Sequence, residues 1–96
     1  MVRYGVFVRH KVKDYAKWRK AFEEHADIRR AGGEKEYWIS HIAGQPKNLC
    51  LFFDWSSVAD ARKFLRSKAL QEAMKLAGVA EKPQVFIFEE MDKGKT

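Results

Sequence analysis

Three short segments of this chain are apolar on both alternating faces: Val6-Phe7-Val8, Cys50-Leu51-Phe52-Phe53 and Val85-Phe86-Ile87-Phe88. They are rich in the β-branched and aromatic residues that favour strands. Successive side chains of a strand point to opposite sides of its sheet, so an unbroken apolar run needs cover on both sides. A chain of 96 residues builds a single core. Its own helices can cover one side of such a sheet. The other side calls for a symmetric second copy.

The remaining sequence supplies those helices. Arg3 to Val12 reads as a first strand, with Tyr4, Val6, Val8, His10 and Val12 on one parity and Gly5, Phe7, Arg9 and Lys11 on the other. Asp14 is an N-cap for a helix running to Ala26 or Arg29, with Tyr15, Trp18, Phe22 and His25 as its inward stripe. Ala31-Gly32-Gly33 ends it. Glu36 to Ile42 is a second strand, with Trp38, Ser40 and Ile42 opposite in parity to Tyr37, Ile39 and His41. Ala43 to Asn48 is turn chemistry and leads into a third strand, Leu49 to Trp55. Ser56 or Ser57 caps a second helix from Val58 to Leu65. Ser67 restarts it, turning Leu70, Ala73, Met74 and Ala77 inward until Gly78 stops it. Gln84 to Met91 is a fourth strand, followed by a polar tail over residues 91–96.

The order βαββαβ is that of the ferredoxin-like split unit. The expected fold is α+β: one domain over residues 1–96, a four-stranded antiparallel sheet with helices on one face, dimerising sheet to sheet into an α+β barrel.

Composition bounds the function. Apolar residues are 46% and charged residues 33%, which describes a globular chain. No apolar run approaches the ~20 residues of a membrane span, and Met1 to Tyr4 does not open a signal peptide. Cys50 is the only cysteine, which excludes an internal disulfide and a cysteine-only metal site. A cytoplasmic protein is expected. The net charge of +6 raises nucleic acid as a partner. Its cations are dispersed, however. Arg9, Lys11 and Lys13, then Lys17, Arg19 and Lys20, then Arg29 and Arg30, then Arg62, Lys63, Arg66 and Lys68 alternate with Asp14, Glu23, Glu24, Asp27, Glu34 and Glu36. That pattern reads as a solvated surface.

His10 is the leading candidate for chemistry, because it closes an otherwise apolar parity and imidazole titrates near neutrality. It would accept a proton from a phenol or enol, contributing about 10²–10⁴ in rate. As a merely structural histidine it would bond a backbone carbonyl, and its loss would cost about 1 kcal/mol. His25, on the inward stripe, is the second candidate. Trp18, Phe22, Phe53, Trp55 and Phe64 either pack the core or line a pocket for a flat hydrophobic ligand. The three histidines stand on different elements without ligand spacing, so neither a metal nor another cofactor is expected.

The run Val8-Arg9-His10-Lys11-Val12-x-Asp14-Tyr15-x-x-Trp18, a glycine turn, and Asp54-Trp55-Ser56-Ser57-x-x-Asp60-Ala61-x-x-Phe64-x-x-Ser67-x-x-Leu70-x-x-Ala73-Met74 together resemble the dimeric α+β barrel superfamily, and within it the antibiotic-biosynthesis-monooxygenase-like proteins. The resemblance covers nearly the whole chain and rests mostly on caps and core. It implies a homodimer with a pocket between sheet and helices in each subunit. Such proteins oxidise quinols or polyketide aromatics without metal or flavin, cleave haem, rearrange lactones, or have no known activity. Haem-cleaving members carry Trp and His on the second helix and Asn on the first strand. Phe64 and Met74 stand at the two helix positions and the first strand has no asparagine, which argues against that branch.

The leading expectation is a homodimer performing cofactor-independent monooxygenase-like, isomerase-like or cyclase-like chemistry on a small aromatic or enolisable compound. The alternatives are a non-catalytic ligand-binding or accessory dimer, and a non-specific nucleic-acid binder.

Overall fold

Asp14 leaves the first strand in extended geometry and its side chain accepts the Lys17 amide, so the chain turns at once into helix. The computed structural model describes residues 3–77 and 82–96. Its elements are β1 (Tyr4–Lys11), α1 (Tyr15–Glu24), α2 (Ala26–Gly32), β2 (Glu34–Ile42), β3 (Gln45–Trp55), α3 (Val58–Leu65), α4 (Lys68–Ala77) and β4 (Gln84–Glu89). The strands form one antiparallel sheet in the order β2-β3-β1-β4. This is the ferredoxin-like α+β arrangement expected from the βαββαβ order.

Three local expectations are corrected. The first helix breaks at His25 instead of continuing to Ala26 or Arg29. There the His25 amide is shared between the Ala21 and Phe22 carbonyls, its ring bonds the Ala21 carbonyl at 2.7 Å, and Arg29 Nη1 donates to the Phe22 carbonyl. Side-chain competition for those carbonyls lets α2 set off in a new direction. The Ala43–Asn48 turn shrinks to Ala43 and Gly44, with Gly44 at φ 79°, and β3 starts at Gln45. Tyr15 is exposed at the edge of the inward stripe, stacked on Trp18. Elsewhere the caps stand as read. Ser57 accepts the Asp60 amide, Ser67 accepts the Leu70 amide, and α3 gives way to α4 between them. Gly78 and the side chain of Ala77 lie outside the described residues.

The core fills the space between sheet and helices. Val6, Val12, Leu49, Leu51, Phe53 and Trp55 from the sheet meet Trp18, Phe22, Ala61 and Phe64 from the helices. The opposite sheet face is bare and aromatic. Register places Trp38, Phe52, Phe7 and Phe86 in one row across all four strands, with Trp38 44%, Phe52 42% and Phe86 58% exposed. Trp38 therefore belongs to this outer row and not to the core.

Candidate functional site

Between the sheet and the helices lies a cavity of about 110 Å³. Its floor is Val6, Val8, Leu51 and Phe53. Trp18 and Phe22 of α1, Phe64 of α3, and Leu70, Ala73 and Met74 of α4 form its walls. Ile28 and Val85, both exposed, mark where it meets solvent. Every aromatic residue expected to shape a pocket, namely Trp18, Phe22, Phe53, Trp55 and Phe64, lines it, and so do His10 and His25. Phe64 and Met74 contribute apolar wall.

The aromatic rings form a continuous series. Trp18 stacks on Phe22 with centroids 5.0 Å apart, Phe22 meets Phe53 at 6.2 Å, Phe53 meets Trp55 at 6.4 Å, and Trp55 meets Phe64 at 5.0 Å. Trp55 Nε1–H donates to the Gly32 carbonyl at 3.0 Å, so the indole pins the α2 terminus as well as filling the core.

His10 stands at one end of the cavity. It is 6% exposed, and neither ring nitrogen has a hydrogen-bond partner among the described residues. Burial without a compensating anion pushes its pKa down to about 4, so the ring is neutral at pH 7 with a free lone pair. The carbonyl partner expected of a structural histidine is not found there. His25 is half-buried, and its Nδ1–H donates to the Ala21 carbonyl at 2.7 Å. His41, on the sheet, is exposed, with its ring against the Ile42 carbonyl.

The cavity also holds two charges that the surface reading of Arg29 and Glu34 did not anticipate. Arg29 is 7% exposed, and its Nε donates to both Glu34 carboxylate oxygens at 3.1 Å. Its guanidinium carbon lies 3.6 Å above the Phe22 ring. Burial raises the Glu34 carboxyl, and the attraction of Arg29 opposes that shift without cancelling it. The sequence carried one signal for Arg29. It continues the spacing of Trp18, Phe22 and His25 onto the same inward stripe. Among the described residues no cluster of three His, Cys, Asp or Glu side chains could hold a metal ion, and no helix is long and apolar enough to cross a membrane.

The fold recurs in solved structures. An antibiotic-biosynthesis-monooxygenase-like protein from Bordetella bronchiseptica superposes with a TM-score of 0.76 at 21% identity, over 97% of this chain and 99% of that one. The chain has the fold of the antibiotic-biosynthesis-monooxygenase-like proteins. A conserved protein from Methanosarcina mazei matches with a TM-score of 0.72 at 15% identity, over 92% of each chain. A monooxygenase of Streptomyces coelicolor, solved in complex with the ligand nanaomycin D, matches with a TM-score of 0.67 at 17% identity, over 99% of this chain and 93% of that one. No protein-family model and no curated protein matches the sequence. Identities this low carry the fold and leave activity to the residues of the site.

Proposed function

We propose that the protein is a homodimer in which each subunit binds a small flat hydrophobic compound in the cavity, and that it performs cofactor-independent monooxygenase-like or isomerase-like chemistry with His10 as proton acceptor. The observation that carries this reading is His10 itself. A buried imidazole with both nitrogens unpartnered is costly to the fold, and a ligand hydroxyl, reached by a small shift of the lining, would supply the missing partner. The bare aromatic row Trp38-Phe52-Phe7-Phe86 supports the dimer, because an apolar sheet face of this kind is stable when a second sheet covers it. The ligand-bound Streptomyces structure of the same fold supports a small-molecule occupant.

In this mechanism the ligand ring lies against Trp18, Phe22 and Phe53 while its hydroxyl meets His10. Proton transfer leaves an electron-rich phenolate or enolate, the form that reacts with dioxygen or rearranges. A base near 4 is weak against a phenol near 10, a gap of roughly 8 kcal/mol before the ion pair forms. The attraction between imidazolium and anion in a dry cavity offsets part of that gap. The site therefore selects hydroxyls more acidic than a simple phenol, such as 1,3-dicarbonyl enols. The test is to incubate the protein with such a panel, following oxygen uptake and product mass. Turnover that His10→Leu abolishes while the fold persists supports the reading. Tight binding without turnover points instead to a ligand-binding protein. The absence of both binding and turnover overturns it.

A further inference from the structure

Arg29 bonds the Phe22 carbonyl at the helix break, but its ion pair with Glu34 adds little to the stability of the fold. Buried ion pairs are weak stabilisers, because desolvation offsets most of the attraction, and apolar residues of similar volume serve the fold equally well. Arg29 is also only partly used. Nε goes to Glu34 and Nη1 to the Phe22 carbonyl, while Nη2 has no hydrogen-bond partner among the described residues. Its guanidinium carbon lies 3.6 Å from the centre of the Phe22 ring, a wall of the cavity, and a guanidinium is the side chain whose planar fork matches carboxylates.

His10 and Arg29 occupy opposite ends of one stack. His10 touches Trp18, Trp18 stacks on Phe22, and Arg29 covers Phe22. A ligand lying along that stack meets a proton acceptor at one end and a cation at the other. The volume of about 110 Å³ bounds its size. A cavity of about 150 Å³ holds one benzene ring, so this smaller one takes at most a single ring, with its substituents toward the open mouth at Ile28 and Val85, and excludes fused polycycles.

We propose that Arg29 is a carboxylate-recognition residue, and that the ligand class is a single-ring hydroxy-aromatic acid with its carboxylate on Arg29 and its hydroxyl on His10. This rests on the reading of the cavity as a ligand site. Glu34 neutralises Arg29 in the empty cavity and competes with the incoming carboxylate.

The test uses 4-hydroxybenzoate and its neutral isostere 4-hydroxybenzamide, titrated calorimetrically and by the fluorescence of Trp18 and Trp55. The acid should bind at least about tenfold more tightly than the amide, as expected for a charge-assisted hydrogen bond. The paired substitution Arg29→Gln with Glu34→Gln, which keeps polar groups but removes both charges, should level the two affinities. Should that double variant fail to fold, Glu34→Gln alone decides, since removal of the competing carboxylate should widen the acid's advantage. Equal affinities in the unmodified protein overturn this proposal and leave the cavity reading intact. So does an advantage that survives the double variant, or one that shrinks in Glu34→Gln. If neither compound binds, both readings fall.

Discussion

The His10 and Trp18 rings meet in a T-shaped arrangement at a near-perpendicular 86°, with centroids 5.6 Å apart. That aromatic contact, with no hydrogen bond to either ring nitrogen among the described residues, is what holds the imidazole. It has a direct consequence for stability. Replacing a buried donor–acceptor group that has no partner by an apolar group of similar size removes a desolvation penalty. His10→Leu is expected to stabilise the fold by about 1 kcal/mol or more at pH 7, read from urea unfolding midpoints. A structural histidine bonded to a carbonyl gives the opposite sign, and a destabilised variant would exclude the arrangement described.

The same group makes stability depend on pH. The unfolded chain takes up a proton on His10 near 6.5, whereas the folded chain refuses it until about 4. The unfolded state therefore binds more protons in that window, and stability falls as pH drops from 6.5 to 4. The loss attributable to this residue is up to about 3 kcal/mol. It should appear as the difference between the pH profiles of the unmodified protein and His10→Leu, with the variant flatter. Parallel profiles would show that the ring is already solvated.

The outer aromatic row predicts assembly. Light scattering at micromolar concentration should give twice the 11.2 kDa chain mass. The paired change Phe52→Lys with Phe86→Lys alters exposed side chains of that face and should yield a folded monomer. A monomeric unmodified protein that binds single-stranded RNA through this row would support the nucleic-acid alternative, since exposed sheet aromatics are stacking platforms. With the face covered, any nucleic-acid affinity should be weak and lost with modest salt.

Gly33 is expected to resist substitution. Its φ of 122° is open to glycine and rarely to other residues, and an added Cβ would collide with Ser56 Oγ and reach 2.7 Å from Trp55 Nε1. The same turn carries the Ser56 amide to Gly33 carbonyl bond at 2.9 Å. Gly33→Ala should destabilise by about 1–3 kcal/mol in thermal or chemical unfolding. It should also loosen ligand binding, because Trp55 lines the cavity. Full stability in this variant would mean that the turn relaxes freely.

Sequence periodicity is a statement about neighbours along the chain, and it sufficed where neighbours decide. Asp14, Ser57 and Ser67 cap the helices because each side chain reaches an amide three residues on. Val6, Val8 and His10 share a face because successive side chains of a strand alternate, and the helices cover that face. The doubly apolar segments by themselves imply a sheet with two apolar faces. His10, His25 and the five aromatic residues were legible as cavity candidates for the same reason.

Tertiary structure alone decided what depends on distant partners. Arg29 and Glu34 look like surface charges in the sequence, and the place of Arg29 on the stripe of Trp18, Phe22 and His25 does not say that it lies over Phe22 or meets Glu34. Only the break at His25 and the turn at Gly33 bring the two side chains together inside the cavity. Trp38 is equally ambiguous as a bulky aromatic, and pairing with Phe52 across β3 assigned it to the outer face. Whether His10 had a hydrogen-bond partner was likewise a three-dimensional matter. Alternation sets which way a side chain points, whereas the packing of helices from elsewhere in the chain sets what it meets.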